Sequence, residues 1–146
     1  MRHKKSAVLL SSWLSELEKG IVIVEGMHDV KALGKFGIKA ATYSFAMANA
    51  KSIVEDSLLA NKKIFLLFDT DNGGLDKQNR LQTLLESISP YCRIDAGLSS
   101  RLLKLLNARS IEQIAKPVAE LLNKGEEYGE NILRYSKVYD NSEFQH

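Results

Sequence analysis

The chain has 146 residues, 20 Lys and Arg against 18 Asp and Glu, a net charge of +2 and 45% hydrophobic residues. That length fits one domain with a real core, and the near-balanced charge means that nucleic-acid binding would need a local basic face. One cysteine, Cys92, excludes an internal disulfide and a multi-cysteine zinc site, and no apolar run approaches the roughly 20 residues of a membrane span.

The first stretch, MRHKKSAVLLSSWLSELEK, begins basic like a signal peptide. Glu16 and Glu18 follow closely and no small-x-small cleavage site is evident, which implies a cytoplasmic protein. Leu10, Trp13, Leu14 and Leu17 share one helix face, and Gly20 is placed to stop that helix. IVIV (21–24) reads as a strand. Val30, Leu33 and Phe36 predict a helix ending near Gly37, and ATYSF (41–45) a second strand. Residues 50–60, with Ile53, Val54 and Leu58, read as a helix. KIFLLF (63–68) is a third, near-continuous apolar strand. Leu81, Leu84, Leu85 and Ile88 mark a helix closed by Ser89 and Pro90, YCRID (91–95) a fourth strand, and Leu98, Leu102, Leu105 and Leu106 another helix. Ser110 with Gln113 reads as a capping box opening a helix with Ile111, Ile114, Val118, Leu121 and Leu122, kinked or broken at Pro117. Beyond Gly125, Ile132, Tyr135 and Tyr139 suit a short helix. The expected division is an N-terminal helix (1–19), a core (20–108) and a C-terminal helical extension and tail (109–146).

Strands alternating with helices predict an α/β fold with a parallel sheet covered on both faces, which binds ligands beyond the carboxyl ends of its strands. Glu25 stands at the end of the first strand, where an acid must be solvated, paired or bound to metal. Asp69 and Asp71 stand where the third strand runs out, in LLFDTDNGG (66–74). At i and i+2 in extended chain their side chains point the same way, and a cation between them relieves the repulsion. Oxygen ligands alone suit magnesium, and the amides of Asn72, Gly73 and Gly74 at a helix start offer a phosphate seat. The plain alternative is that Asp71 or Asp69 is only a helix cap or an Asx turn. A calcium EF-hand fits poorly, with Gly73 and Arg80 where it needs acids or amides. If strands one and three are neighbours, Glu25, Asp69 and Asp71 converge on one edge of the sheet.

VIVEGMHDVKAL followed by IFLLFDTDNGG resembles the Toprim domain, the catalytic module of topoisomerases, bacterial-type primases and some nucleases. The resemblance covers roughly residues 20–108. Its Glu-Gly-x-x-Asp form is similar to primases and to the small nucleases of ribosomal RNA maturation, and the chain's length to the small stand-alone Toprim proteins of archaea. The resemblance implies a three-layer α/β/α fold with strand order 2-1-3-4. It implies Glu25 as general acid/base, Asp69 and Asp71 (with Glu25) as ligands of Mg²⁺ or Mn²⁺, and Asp29 as a supporting acid. Gly73 stands where topoisomerase-type motifs often have a third acid, which puts a second protein-bound metal in doubt, and the single cysteine leaves no zinc module of the primase kind.

Gly26, Lys31, Lys35, Arg93 and Arg101 are candidate phosphate contacts, with a solvated surface base as the alternative for each lysine and arginine. Lys31 and Lys35 share a helix face. His28 beside the site suits a phosphate contact or plain solvation, and the GxxG of GKFG (34–37) reads better as a helix ending than as a KH loop. Cys92 is expected as a small core residue. Two functions stand: Mg-dependent cleavage or transfer of phosphodiesters on DNA or RNA, or a non-catalytic nucleic-acid-binding or adaptor module that keeps the metal site. The expected partner is nucleic acid, with no membrane, and the chain is a monomer or homodimer.

Overall fold

The computed structural model describes residues 2–35, 38 and 41–126. Its elements run α1 (Arg2–Glu18), β1 (Ile21–Val24), α2 (Met27–Lys35), β2 (Ala41–Ser44), α3 (Ala50–Ala60), β3 (Ile64–Leu67), α4 (Asn72–Ile88), β4 (Ile94–Asp95), α5 (Leu98–Leu106) and α6 (Ala115–Glu126), with 3-10 turns at Phe45–Met47 and Ile111–Gln113. The fold is α/β. All four strands are parallel, in the order β2-β1-β3-β4. No described helix is long and apolar enough to cross a membrane.

Both central strands are buried from end to end. Successive side chains of a strand point to opposite faces, so a strand with no polar position needs cover on both. Val22, Val24, Phe65 and Leu67 lie in one core with α1, α5 and α6, centred on Leu10, Leu14, Leu102, Val118 and Leu122. Ile21, Ile23, Ile64 and Leu66 lie in the other, with Ile53 and Val54 of α3 and Leu81 and Leu85 of α4. Gly20 has a steric reason to be glycine. A Cβ there would lie 2.5 Å from the Phe65 ring and 2.8 Å from the Lys63 carbonyl oxygen, and Ile21 N–H donates to that same oxygen. The chain turns from α1 into β1 through a gap that admits no side chain.

Several sequence expectations shift. Phe45 leaves β2 and enters a 3-10 turn, and the fourth strand shrinks to Ile94–Asp95. Cys92 therefore lies in the turn before β4, half-buried, with Sγ 3.2 Å from the Ser89 carbonyl oxygen. Ser110 makes no side-chain cap. Gln113 N–H donates to the Ser110 carbonyl in a 3-10 turn, and α6 begins only at Ala115. Pro117 is the third residue of α6, where its missing N–H is no loss, while its ring obstructs a helix running in from the Gln113 carbonyl. Leu84 and Ile88 are 49% and 40% exposed, so only Leu81 and Leu85 of that stripe are core. The expected helix end at Phe36–Gly37 and the tail helix at Ile132–Tyr139 lie outside the described residues.

Candidate functional site

The register pairs Val24 with Leu67, so Glu25 leaves β1 at the level where Phe68 and Asp69 leave β3. The two acids meet: Asp69 N–H donates to Glu25 Oε2 at 3.2 Å. Both are half-buried. Burial raises the Glu25 pKa above its ordinary value, and the charge of the Asp69 carboxylate and a side-chain hydrogen bond with it raise it further. The Asp69 amide and the Lys77 charge oppose that rise. Lys77 Nζ lies 3.8 Å from Glu25 Oε1.

Asp29 belongs to the same cluster but serves the backbone. It sits in the first turn of α2 and its Oδ2 accepts from Gly26 N–H at 3.2 Å, anchoring the Glu-Gly turn. Burial raises its pKa, the charges of Asp69 and Glu112 add to the rise, and the Gly26 amide and His28 oppose it. His28 is 80% exposed and 3.9 Å from Glu112. Gly26 itself has open space around it.

Asp71 stands on the exposed rim as the N-cap of α4, with Oδ1 accepting from Gly74 N–H at 2.7 Å. Of the three small residues in that first turn, Asn72 and Gly73 are exposed and Gly74 is buried. A Cβ on Gly74 would lie 2.9 Å from the Asp69 carbonyl carbon and closer still to its oxygen. Gly74 is the joint where α4 packs onto the Asp-Thr-Asp loop.

Among the predicted phosphate contacts, Lys31 and Lys35 are exposed on α2. Arg101 is held by Asp95 at 3.2 Å. Arg93 lies at the far end of the sheet, where it donates to the backbone oxygen and Oδ1 of Asn61, the cap that ends α3. It is thereby removed from the site.

Three contributors escaped the sequence reading. Lys77 lies on α4, whereas the bases singled out from the sequence lie on α2 (Lys31, Lys35), just before β4 (Arg93) and on α5 (Arg101). Asp95 ends β4 and accepts from Gly97 and Leu98 N–H at 2.9 Å each, opening α5; its signal was an Asp followed by a small residue and a glycine. The Ile111–Gln113 turn folds over the strand ends, and Ile111 N–H donates to Asp69 Oδ1 at 3.0 Å. A backbone amide 42 residues away carries no composition signal.

Among the described residues, no three His, Cys, Asp or Glu side chains form a ready group of metal ligands. The adjoining Glu25 and Asp69 carboxylates nevertheless offer oxygen donors of the kind magnesium takes when water fills most of its shell. Buried Ser99 and Gln78 hold the floor: Ser99 Oγ donates to the Phe68 carbonyl, and Gln78 Nε2 to the Ala96 carbonyl at 3.0 Å.

A solved structure of a protein from Aquifex aeolicus, whose description names no activity, is similar to this chain at 31% identity and a TM-score of 0.54, covering 71% of this chain and 96% of that one. The two chains belong to one family. No protein-family model and no curated protein matches the chain.

Proposed function

We propose that the chain is a Toprim-type protein that cleaves or transfers phosphodiesters of nucleic acid with the help of a magnesium ion. The observation that carries this reading is the meeting of Glu25 and Asp69 at the carboxyl ends of the two central parallel strands, the position where such sheets bind ligands. A group whose pKa is raised by burial and by a neighbouring acid is suited to carry a proton, and Glu25 has that property. Glu25 is the residue that would move the proton of the attacking or leaving oxygen. Asp69 would hold the cation, with Asp71 reaching it by the oxygen its cap bond leaves over. The cation's contribution is to offset charge on the reacting phosphate. Asp29 would act as a supporting acid that holds the Gly26 amide at the start of α2.

The test is a cleavage assay on single- and double-stranded DNA and RNA with Mg²⁺ or Mn²⁺. Metal-dependent cleavage that falls by about 100-fold or more in Glu25→Gln, as for the loss of a general acid/base, is the expected result. Metal-dependent cleavage that survives this change in full would overturn the assignment of Glu25. A second reading, a nucleic-acid-binding module without catalysis, draws on one observation: Asp71 Oδ1 and Asp69 Oδ1 already accept backbone amides. Binding with no cleavage under any metal would favour it.

A further inference from the structure

Most arginines on the described surface are held by partners. Arg101 pairs with Asp95 and Arg80 with Asp76, each at 3.2 Å, and Arg93 is engaged at the opposite end of the sheet. Lys77 is placed differently. Its side chain is 51% exposed, it reaches from α4 over the strand ends, and its Nζ stops 3.8 Å from Glu25 Oε1, a carboxylate whose own side chain is only 18% exposed. At that separation the contact is an ion pair without a hydrogen bond, so the ammonium keeps its donors for a further acceptor. The electrostatics call for one. Asp69 and Glu112 both act on Asp29, and Asp69 acts on Glu25, so the floor of the site repels any anion. A cation of the protein that meets the phosphodiester oxygens beside Glu25 would offset that repulsion together with the metal ion.

We propose that Lys77 seats a backbone phosphate of nucleic acid next to Glu25. This rests on the reading of the site given above and adds the group that receives the substrate. A non-bridging oxygen of the phosphate accepts from Nζ while Glu25 stays within proton-transfer range of the ester oxygen. Lysine acts as a point charge toward phosphate, so the contact reads backbone and not base sequence.

The experiment measures binding of labelled single-stranded DNA and RNA oligonucleotides to the full chain by fluorescence anisotropy, with Ca²⁺, across a salt series. Wild type, Lys77→Ala and Lys77→Arg are compared, and cleavage with Mg²⁺ is followed separately. Lys77→Ala is expected to weaken binding about tenfold for every sequence and to reduce the salt slope by about 1, as for loss of one phosphate contact, with Lys77→Arg recovering most of it. Thermal melts should change little, because Lys77 is half exposed and makes no hydrogen bond to Glu25. Equal affinity and slope in wild type and Lys77→Ala would overturn the proposal. Cleavage that needs Glu25 but not Lys77 would sink it while leaving the functional reading intact. Binding that needs Lys77, with no cleavage, would uphold it and remove the enzymatic reading. Failure of wild type to bind either nucleic acid would remove both.

Discussion

Replacing Gly74 with alanine tests how tightly α4 is seated on the Asp-Thr-Asp loop. The added Cβ would stand 2.9 Å from the Asp69 carbonyl carbon, closer still to its oxygen, and 3.1 Å from Asp71 Oδ1. The Asp69 carbonyl oxygen, the nearest obstacle, lies well inside the 3.4 Å at which ordinary van der Waals contact begins, so helix or loop must shift, and the obstacle is backbone, not a side-chain end. Overpacking of this kind costs about 1–3 kcal/mol, and alanine's better helix propensity returns about 0.5–1 kcal/mol of it. The net expectation is a loss of about 1–2 kcal/mol. Gly73 is the internal control, because a Cβ there meets only Asp71 Oδ1, at 3.7 Å. Gly73→Ala should be neutral or stabilising by about 0.5 kcal/mol, less than a full mid-helix gain because the residue is in the first turn. Urea unfolding of both variants, followed by circular dichroism, gives the comparison. Equal stabilities would refute the close approach of Gly74 to Asp69.

Asp71→Ala should cost about 1 kcal/mol of stability in the presence of chelator, since it deletes the N-cap of α4, while Asp71→Asn should lose much less; thermal melts check this. For Asp29 the folded pKa is raised, so ionisation disfavours the native state and its contribution falls as pH rises from about 3.8, the ordinary value, through the folded value. Asp29→Asn, which keeps an acceptor for Gly26 N–H, should therefore match or exceed wild type at pH 7, with any advantage vanishing toward pH 4; an advantage that grows as pH falls would contradict the sign.

The two central strands were legible because continuous apolar runs with β-branched residues have few alternatives, while their adjacency was a condition for Glu25 to meet Asp69 and came with the strand order that the resemblance implied. The edges were less so. Tyr91, Cys92 and Arg93 look like strand in isolation. Tyr91 is 83% exposed, and although the Arg93 carbonyl accepts from Ile64 N–H at 2.8 Å, only Ile94 and Asp95 pair in register with β3. Asn61 and Asn107 both end helices at positive φ, 53° and 50°, a role asparagine tolerates better than most residues and one that could have been read from the sequence. The Ser110–Gln113 pattern met the capping-box rule, yet the tertiary demand for Ile111 N–H at Asp69 is met by a 3-10 turn. In the site, Glu25 and Asp69 were visible from spacing after a strand. The cap function of Asp71 was the plain alternative, and its bond to Gly74 is present. Lys77 was not visible, because which face of α4 looks back over the strand ends depends on how the helix is packed.

The amide of Ile111 on Asp69 also bears on the order of events during synthesis. Glu25 meets Asp69 across 44 positions, and Asp69 meets Ile111 across another 42. A nascent chain that has released only the four strands presents Asp69 without the Ile111 amide and one core without α6. Such a chain lacks Glu112, the acid that the turn brings near Asp29, and the core that α6 completes against α1. The acid pocket is therefore completed only by a segment that follows all four strands in the chain.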